Sequence, residues 1–205
     1  MPRSEEALDA ILRTLAEEGW IVPLGQSSRP GGHRSVQVDL PPLPASAATT
    51  VHQVKVSLRA ARCSVWRRLE IPSDLPLSLV HEVLQTAFGW FDCHPHQFET
   101  ACGDFGDPAQ DGVWSRRADE GAAALGQVMP TAKDTMGYVY DFGANWRHHI
   151  DVEAIVPAAP GVRYPRCTAL RGTPPAEAGQ TGPEVTADEL TRQLAGLAGV
   201  VVPAS

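Results

Sequence analysis

Tyr138 to Glu153, YVYDFGANWRHHIDVE, alternate with the period of a β-strand on either side of a short turn. In WRHHIDVE a period of two sets Trp146, His148, Ile150 and Val152 on one face, and Arg147, His149, Asp151 and Glu153 on the other. GYVYDF before it reads as a second strand. GAN between them supplies Gly143 and Asn145, both tolerant of the positive φ that a tight hairpin demands. This hairpin predicts an antiparallel sheet with one buried face, and it separates two neighbouring histidines. His149 joins a charged, outward face. His148 shares the apolar face and must find a hydrogen-bond partner or a ligand there.

The same periodicity continues upstream. VHQVKVSLR alternates Val54, Val56 and Leu58 against Gln53, Lys55, Ser57 and Arg59, and SVWRRLEI sets Val65, Arg67, Leu69 and Ile71 against Trp66, Arg68 and Glu70. Two antiparallel strands joined at AARC follow from this. After PSDLP, the run LSLVHEVLQTAFGW places Leu79, Val80, Val83, Leu84, Ala87 and Phe88 on one helical stripe, with Gly89 as its stop. HPHQFET reads as a short strand in which Pro95 favours an edge or a strand start. Residues 103–137 carry turn residues and weakly patterned Ala, and are expected to be irregular. TADELTRQLAGLA predicts a C-terminal helix with Thr186 and Glu189 as a capping box and Leu190, Leu194 and Leu197 as its stripe. At the other end, Leu8, Ile11, Leu12 and Leu15 recur at helical spacing behind Ser4.

The expected fold is therefore α+β: a mostly antiparallel sheet with a packed helix, plus N-terminal and C-terminal helices. Its segments are a helix over 1–22, a Pro, Gly and Ser-rich linker over 23–50, the α+β domain over 51–182 and a helix over 183–205.

The 205 residues, 43% hydrophobic and 20% charged, have the composition of a folded domain. The acidic start lacks the features of a signal peptide, and no window holds the roughly 18 apolar residues of a membrane span, so a cytoplasmic, membrane-free protein is expected. Cys63, Cys93, Cys102 and Cys167 lie far apart without a C-x-x-C pair and are expected as free thiols. Net charge is -7, and residues 51–182 hold 12 Lys+Arg against 15 Asp+Glu. That balance disfavours sequence-independent binding of nucleic acid, which needs cations to displace phosphate counterions.

Chemistry concentrates at the histidines. His94 and His96 point the same way if HPHQF is a strand, and same-face imidazoles at that spacing can chelate a divalent transition metal. His148 is the third candidate ligand, with Asp92, Glu99, Asp141 and Cys167 as further ones. HPHQFE has the His-x-His-and-Glu order of a cupin metal site, but Glu99 is one residue too close and no second Gly-rich His segment follows. No G-x-S-x-G turn, P-loop or G-x-G-x-x-G motif is present. Arg67 and Arg68 could offer a fork to phosphate or carboxylate, although adjacent strand residues face opposite ways.

Three blocks, residues 51–99, 138–153 and 164–182, resemble the plasmid pRiA4b ORF-3-like family in order and spacing. The resemblance rests on Trp66, Arg67 and Arg68, then Gly89 and Trp90, then His94, His96 and Phe98, then Tyr140, Asp141, Phe142, Gly143, Trp146 and His148. It implies an α+β domain carried on plasmids and near mobile elements, with a resolvase-like label by association. A serine recombinase would need a nucleophilic Ser in an Arg-rich site, and Ser64 stands where similar proteins usually have Pro. Where the family tends to read C-P-P-E-D-x-G-G, this chain runs Thr173, Pro174, Pro175, Ala176, Glu177, Ala178, Gly179, Gln180, without the Cys.

The leading functional expectation is a binding or accessory domain that recognises a protein or nucleic-acid partner through Trp146, Asp141, Arg67, Arg68 and the histidines. The alternative is a metal-dependent enzyme, hydrolytic in type, with the ion on His94, His96 and His148 and with Asp92, Asp141 or Glu99 orienting a water. A third reading is a structural homodimer through paired terminal helices.

Overall fold

The computed structural model describes residues 36–59, 64–110, 116–177, 179 and 185–197. The expected helix over 1–22, the first part of the linker and the AARC connection lie outside the described residues.

Alternating apolar positions build one sheet. Its strands are β1 (Thr50–Leu58), β2 (Val65–Pro72), β3 (His96–Thr100), β4 (Gly103–Gly106), β5 (Ala118–Asp119), β6 (Thr135–Tyr140), β7 (Trp146–Pro157) and β8 (Arg166–Arg171), in the order β5-β4-β3-β6-β7-β1-β2-β8. All neighbours are antiparallel except β4 and β5. The registers align a row of inward side chains across the sheet: Phe105, Phe98, Tyr138, His148, Leu58 and Val65. This row is buried throughout. The other face carries ion pairs, Arg68 with Glu153 at 3.0 Å and Arg147 with Glu99 at 3.1 Å, and a polar contact of His149 with Asp151 at 2.9 Å. One packed face and one wet face is the usual state of an antiparallel sheet.

Among the described residues three helices accompany the sheet: α1 (Leu77–Phe88), the single turn α2 (Leu125–Val128) and α3 (Ala187–Leu194). Helix α1 buries Leu77, Val80, Val83, Leu84, Ala87 and Phe88, and with them the polar His81 and Gln85. Gly89 ends it in the left-handed region at φ 68, which costs a glycine nothing. Thr186 caps α3 by accepting from the Glu189 amide at 3.2 Å, and the stripe Leu190 and Leu194 is fully buried. No helix among the described residues is long and apolar enough to cross a membrane.

Two expectations differ from what is found. The stretch 103–137 contributes β4, β5, α2 and the first residues of β6, because Phe105 pairs with Phe98 in the core row and draws the Gly-rich GDFG into the sheet. Arg67, considered as a fork for phosphate or carboxylate although its period sets it on the face of Val65, Leu69 and Ile71, is only 2% exposed. Its Nε donates to the Ala87 carbonyl at 2.8 Å, and its Nη1 to the Trp66 and Arg171 carbonyls at 2.9 and 3.1 Å. The guanidinium lies 5.1 Å from the Phe88 ring centre. Arg67 thus satisfies a carbonyl left open by the last turn of α1 and ties that helix to β8.

Candidate metal centre

Five segments bring polar side chains together beside the buried row. Spacing of i and i+4 places His81 and Gln85 on the inner side of α1. Strand β6 presents Tyr138 and β3 opens with His96, whose rings face α1. Asp92 lies in the connection from α1 to β3, and Glu120 in the 3-10 turn that follows β5.

The hydrogen bonds form a directed chain. Gln85 Nε2 donates to the Tyr138 hydroxyl at 2.9 Å, that hydroxyl lies 2.8 Å from His81 Nδ1, and His81 Nε2 lies 3.0 Å from Asp92 Oδ1. Since Gln85 already donates to it, the hydroxyl has its own proton for Nδ1, and Nε2–H then donates to the carboxylate. His96 lies stacked on His81, ring centres 3.5 Å apart and planes within 5°. Its Nε2 is 2.7 Å from Glu120 Oε2. A carboxylate only accepts, so Nε2 carries the proton and Nδ1 keeps a lone pair. That Nδ1 is buried and has no hydrogen-bond partner.

Electrostatics agree with this assignment. Burial, reinforced by the stacked His96 ring, holds the His81 pKa down at about 3, so His81 is neutral. As assigned it is a donor to Asp92, and it would ligate a cation through Nε2 only as the other tautomer, with Nδ1–H donating to the Tyr138 hydroxyl. The Asp92 carboxyl is raised, first by burial and then by Glu120, Glu177 and Asp107, against a lowering influence from His96. The side chains open onto a cleft of about 240 Å³ that Glu82, Asp107 and Asp119 also line. Of its described lining residues five are Asp or Glu, and none is Lys or Arg.

His81, Asp92 and His96 each offer one ligand atom within 4.8 Å of the others, the single such group of three among the described residues. Zinc-type bonds of about 2.0–2.1 Å set neighbouring donors closer together than that limit, so side-chain adjustment would close the group on an ion. The unpartnered Nδ1 of His96 is compatible with the fit, because this buried nitrogen keeps a lone pair beside a second imidazole and a carboxylate. Glu120 behind His96 completes the carboxylate–imidazole pairing that fixes the tautomer of metal-binding histidines.

The residues singled out from sequence are distributed differently. His96 and Asp92 join the cluster. His94 stands outside it: β3 begins only at His96, after Pro95, so the period of two does not extend back to His94, which lies 3.7 Å from Asp141. His148 also stands outside, enclosed by Phe88, Trp90 and Tyr138, with Nδ1 3.2 Å from the Tyr138 carbonyl. The three imidazoles expected to converge are thus in separate environments. Asp141, at φ 52, caps the β6–β7 turn through the Gly143 and Ala144 amides. Glu99 pairs with Arg147, and Arg68 with Glu153 while stacking 5.2 Å over Trp66. Trp146 lies flat on Trp90, with ring centres 4.6 Å apart. Cys167 is buried beneath α3, where Thr191 bonds its backbone.

His81 and Glu120 had no role in the sequence reading. His81 was nonetheless visible in principle, because it stands four residues after Leu77 and three before Leu84, on the stripe itself. Glu120 had no comparable signal.

Residues 50–187 match the family described as plasmid pRiA4b ORF-3-like protein. The uncharacterized protein y4hQ of Sinorhizobium fredii is 34% identical over 131 residues, a match that covers 62% of this chain and 66% of that protein's length. The crystal structure of a protein of unknown function, MM3350 from Methanosarcina mazei Go1, superposes with a TM-score of 0.54 at 30% identity, covering 60% of this chain and 70% of that one. The match over most of the sheet, the helix α1 and the cluster residues themselves places this chain in the plasmid pRiA4b ORF-3-like family.

Proposed function

We propose that the cleft beside α1 binds a divalent transition metal through His81, Asp92 and His96, and that the domain is a metal-dependent catalyst of hydrolytic type. The convergence of His81, Asp92 and His96, with the His96 Nδ1 unpartnered and Glu120 behind its ring, carries this reading. An ion there would supply Lewis acidity and an acidified water. The chain's own residues contribute orientation: Tyr138 and Gln85 hold His81, Glu120 holds His96, and Asp92 brings charge to a site that otherwise offers neutral imidazole. The carboxylate-rich lining favours a cation and disfavours phosphate or nucleic acid as substrate. Calorimetric titration of chelator-stripped, untagged protein with Zn²⁺ or Co²⁺ is expected to reveal one saturable site. No heat beyond dilution with either ion would refute it.

A second reading, an accessory domain that docks on a protein partner, draws on Phe91 and Phe142, 56% and 44% exposed beside the cleft residue Asp92 and the turn residue Asp141. Pull-downs with the double variant F91A/F142A are expected to lose any partner that wild type retains, and equal capture by both would dismiss it.

A further inference from the structure

Asp92 adopts φ 55, a left-handed conformation that a non-glycine residue holds only when its surroundings over-determine it. The surroundings do so at three consecutive amides. The Phe91 N–H donates to Glu177 Oε2, the Asp92 N–H to Gln85 Oε1 at 3.2 Å, and the Cys93 N–H to the Tyr140 hydroxyl at 2.9 Å. The three acceptors come from three places: the segment after β8, the helix α1 and the strand β6. Two of them are joined to each other, since the Tyr140 hydroxyl donates to Glu177 Oε1, while the third, Gln85, continues through Tyr138 to His81.

Glu177 is 1% exposed, and its two oxygens are spent on Tyr140 and Phe91. The Pro175 carbonyl two residues earlier accepts from Trp90 Nε1 at 3.1 Å, so the same segment is fastened to the 90–93 connection at two points. A buried carboxylate used this way does more than fill space, because its removal strands one backbone donor and one hydroxyl at the residues that aim Asp92.

We infer that Glu177, acting with Tyr140, is a positioning residue for the metal site: it clamps the Phe91–Cys93 backbone and thereby holds Asp92 toward His81 and His96. This rests on the metal reading of the cleft. Glu177 itself touches no ligand atom of the cluster, so its effect runs through Asp92. The segment after β8 thus sets the carboxylate geometry of a site built by α1 and β3.

The test compares Zn²⁺ affinity and the Co²⁺ absorption spectrum in wild type, E177A, E177Q and Y140F, with hydrogen exchange at the Phe91, Asp92 and Cys93 amides. E177A is expected to bind Zn²⁺ about 10–100-fold more weakly, the range for loss of a group that orients a ligand, with an altered Co²⁺ spectrum and faster exchange at the three amides. E177Q retains an acceptor for the Phe91 amide and is expected to restore most of the affinity. Y140F keeps the ring in the core, so it remains informative if E177A does not fold, and it is expected to weaken binding in the same direction. Variants with lowered melting temperature but wild-type Zn²⁺ affinity and Co²⁺ spectrum would overturn the positioning role and leave the metal site standing. Wild-type protein that takes up neither ion would overturn both.

Discussion

Two histidine environments lie within one sheet face, and they differ in what surrounds the rings. His148 is boxed by Phe88, Trp90 and Tyr138, its Nδ1 faces a backbone carbonyl, and burial holds its pKa down at about 4. His81 and His96 are as deeply buried, yet they stack on each other, reach Asp92 and Glu120, and open onto a carboxylate-lined cleft. Each environment leaves one imidazole nitrogen without a partner, His148 Nε2 in the first and His96 Nδ1 in the second. The lesson is that an orphaned nitrogen does not define a ligand. A second donor and a compensating carboxylate within reach do, and only the cleft pair has them among the described residues.

The largest effect that would break this contrast is removal of the cleft pair. H81A/H96A is expected to abolish Zn²⁺ binding in calorimetry, a loss beyond about 100-fold, since an outer-shell partner alone is worth about 10–100-fold. The boxed histidine should speak instead through acid stability. Burial sets its folded pKa at about 4, below the ordinary histidine value of 6.5, so the unfolded chain binds the extra proton between those values. Stability from this group is therefore complete above about pH 6.5 and is lost as pH falls toward about 4, amounting to roughly 3 kcal/mol. H148F should flatten that part of the denaturation-versus-pH curve while leaving Zn²⁺ affinity unchanged, and an unchanged curve would contradict the assignment. A smaller effect is expected for E120Q, which removes the carboxylate behind His96. It should weaken Zn²⁺ binding by about 10–100-fold without comparable loss of thermal stability. The smallest effect belongs to the outer sheet face: R68A, whose charge sits exposed beside Glu153, is expected to leave both melting temperature and metal affinity unaltered.

Much of the architecture was legible because periodicity is local. The alternations that define β1, β2 and β7 and the stripe of α1 each need only a few neighbouring residues to be read. The face assignment that sent His148 inward and His149 outward needed no more than that. What escaped was whatever depends on non-local pairing. His94 and His96 share a face only if a strand runs through both, and the strand starts at His96. His81 was passed over because a polar residue on an apolar stripe reads as an interruption, whereas its partners Tyr138 and Asp92 lie 57 and 11 residues away. Glu120 reaches His96 across 24 residues from a stretch without a clear pattern. Arg67 was a candidate fork for an anion although the alternation set it on the apolar face, and nothing local shows which groups would meet a guanidinium there. Here the end of α1 and the end of β8 supply the carbonyls that let it be buried.

The most direct test is elemental analysis of untagged protein, loaded with Zn²⁺ and dialysed, run beside H81A/H96A and H94A/H148F. About one equivalent is expected in wild type and in H94A/H148F, and none in H81A/H96A, as for a single site of two imidazoles and a carboxylate. Wild type below about a tenth of an equivalent, or an equivalent retained by H81A/H96A, would contradict the account.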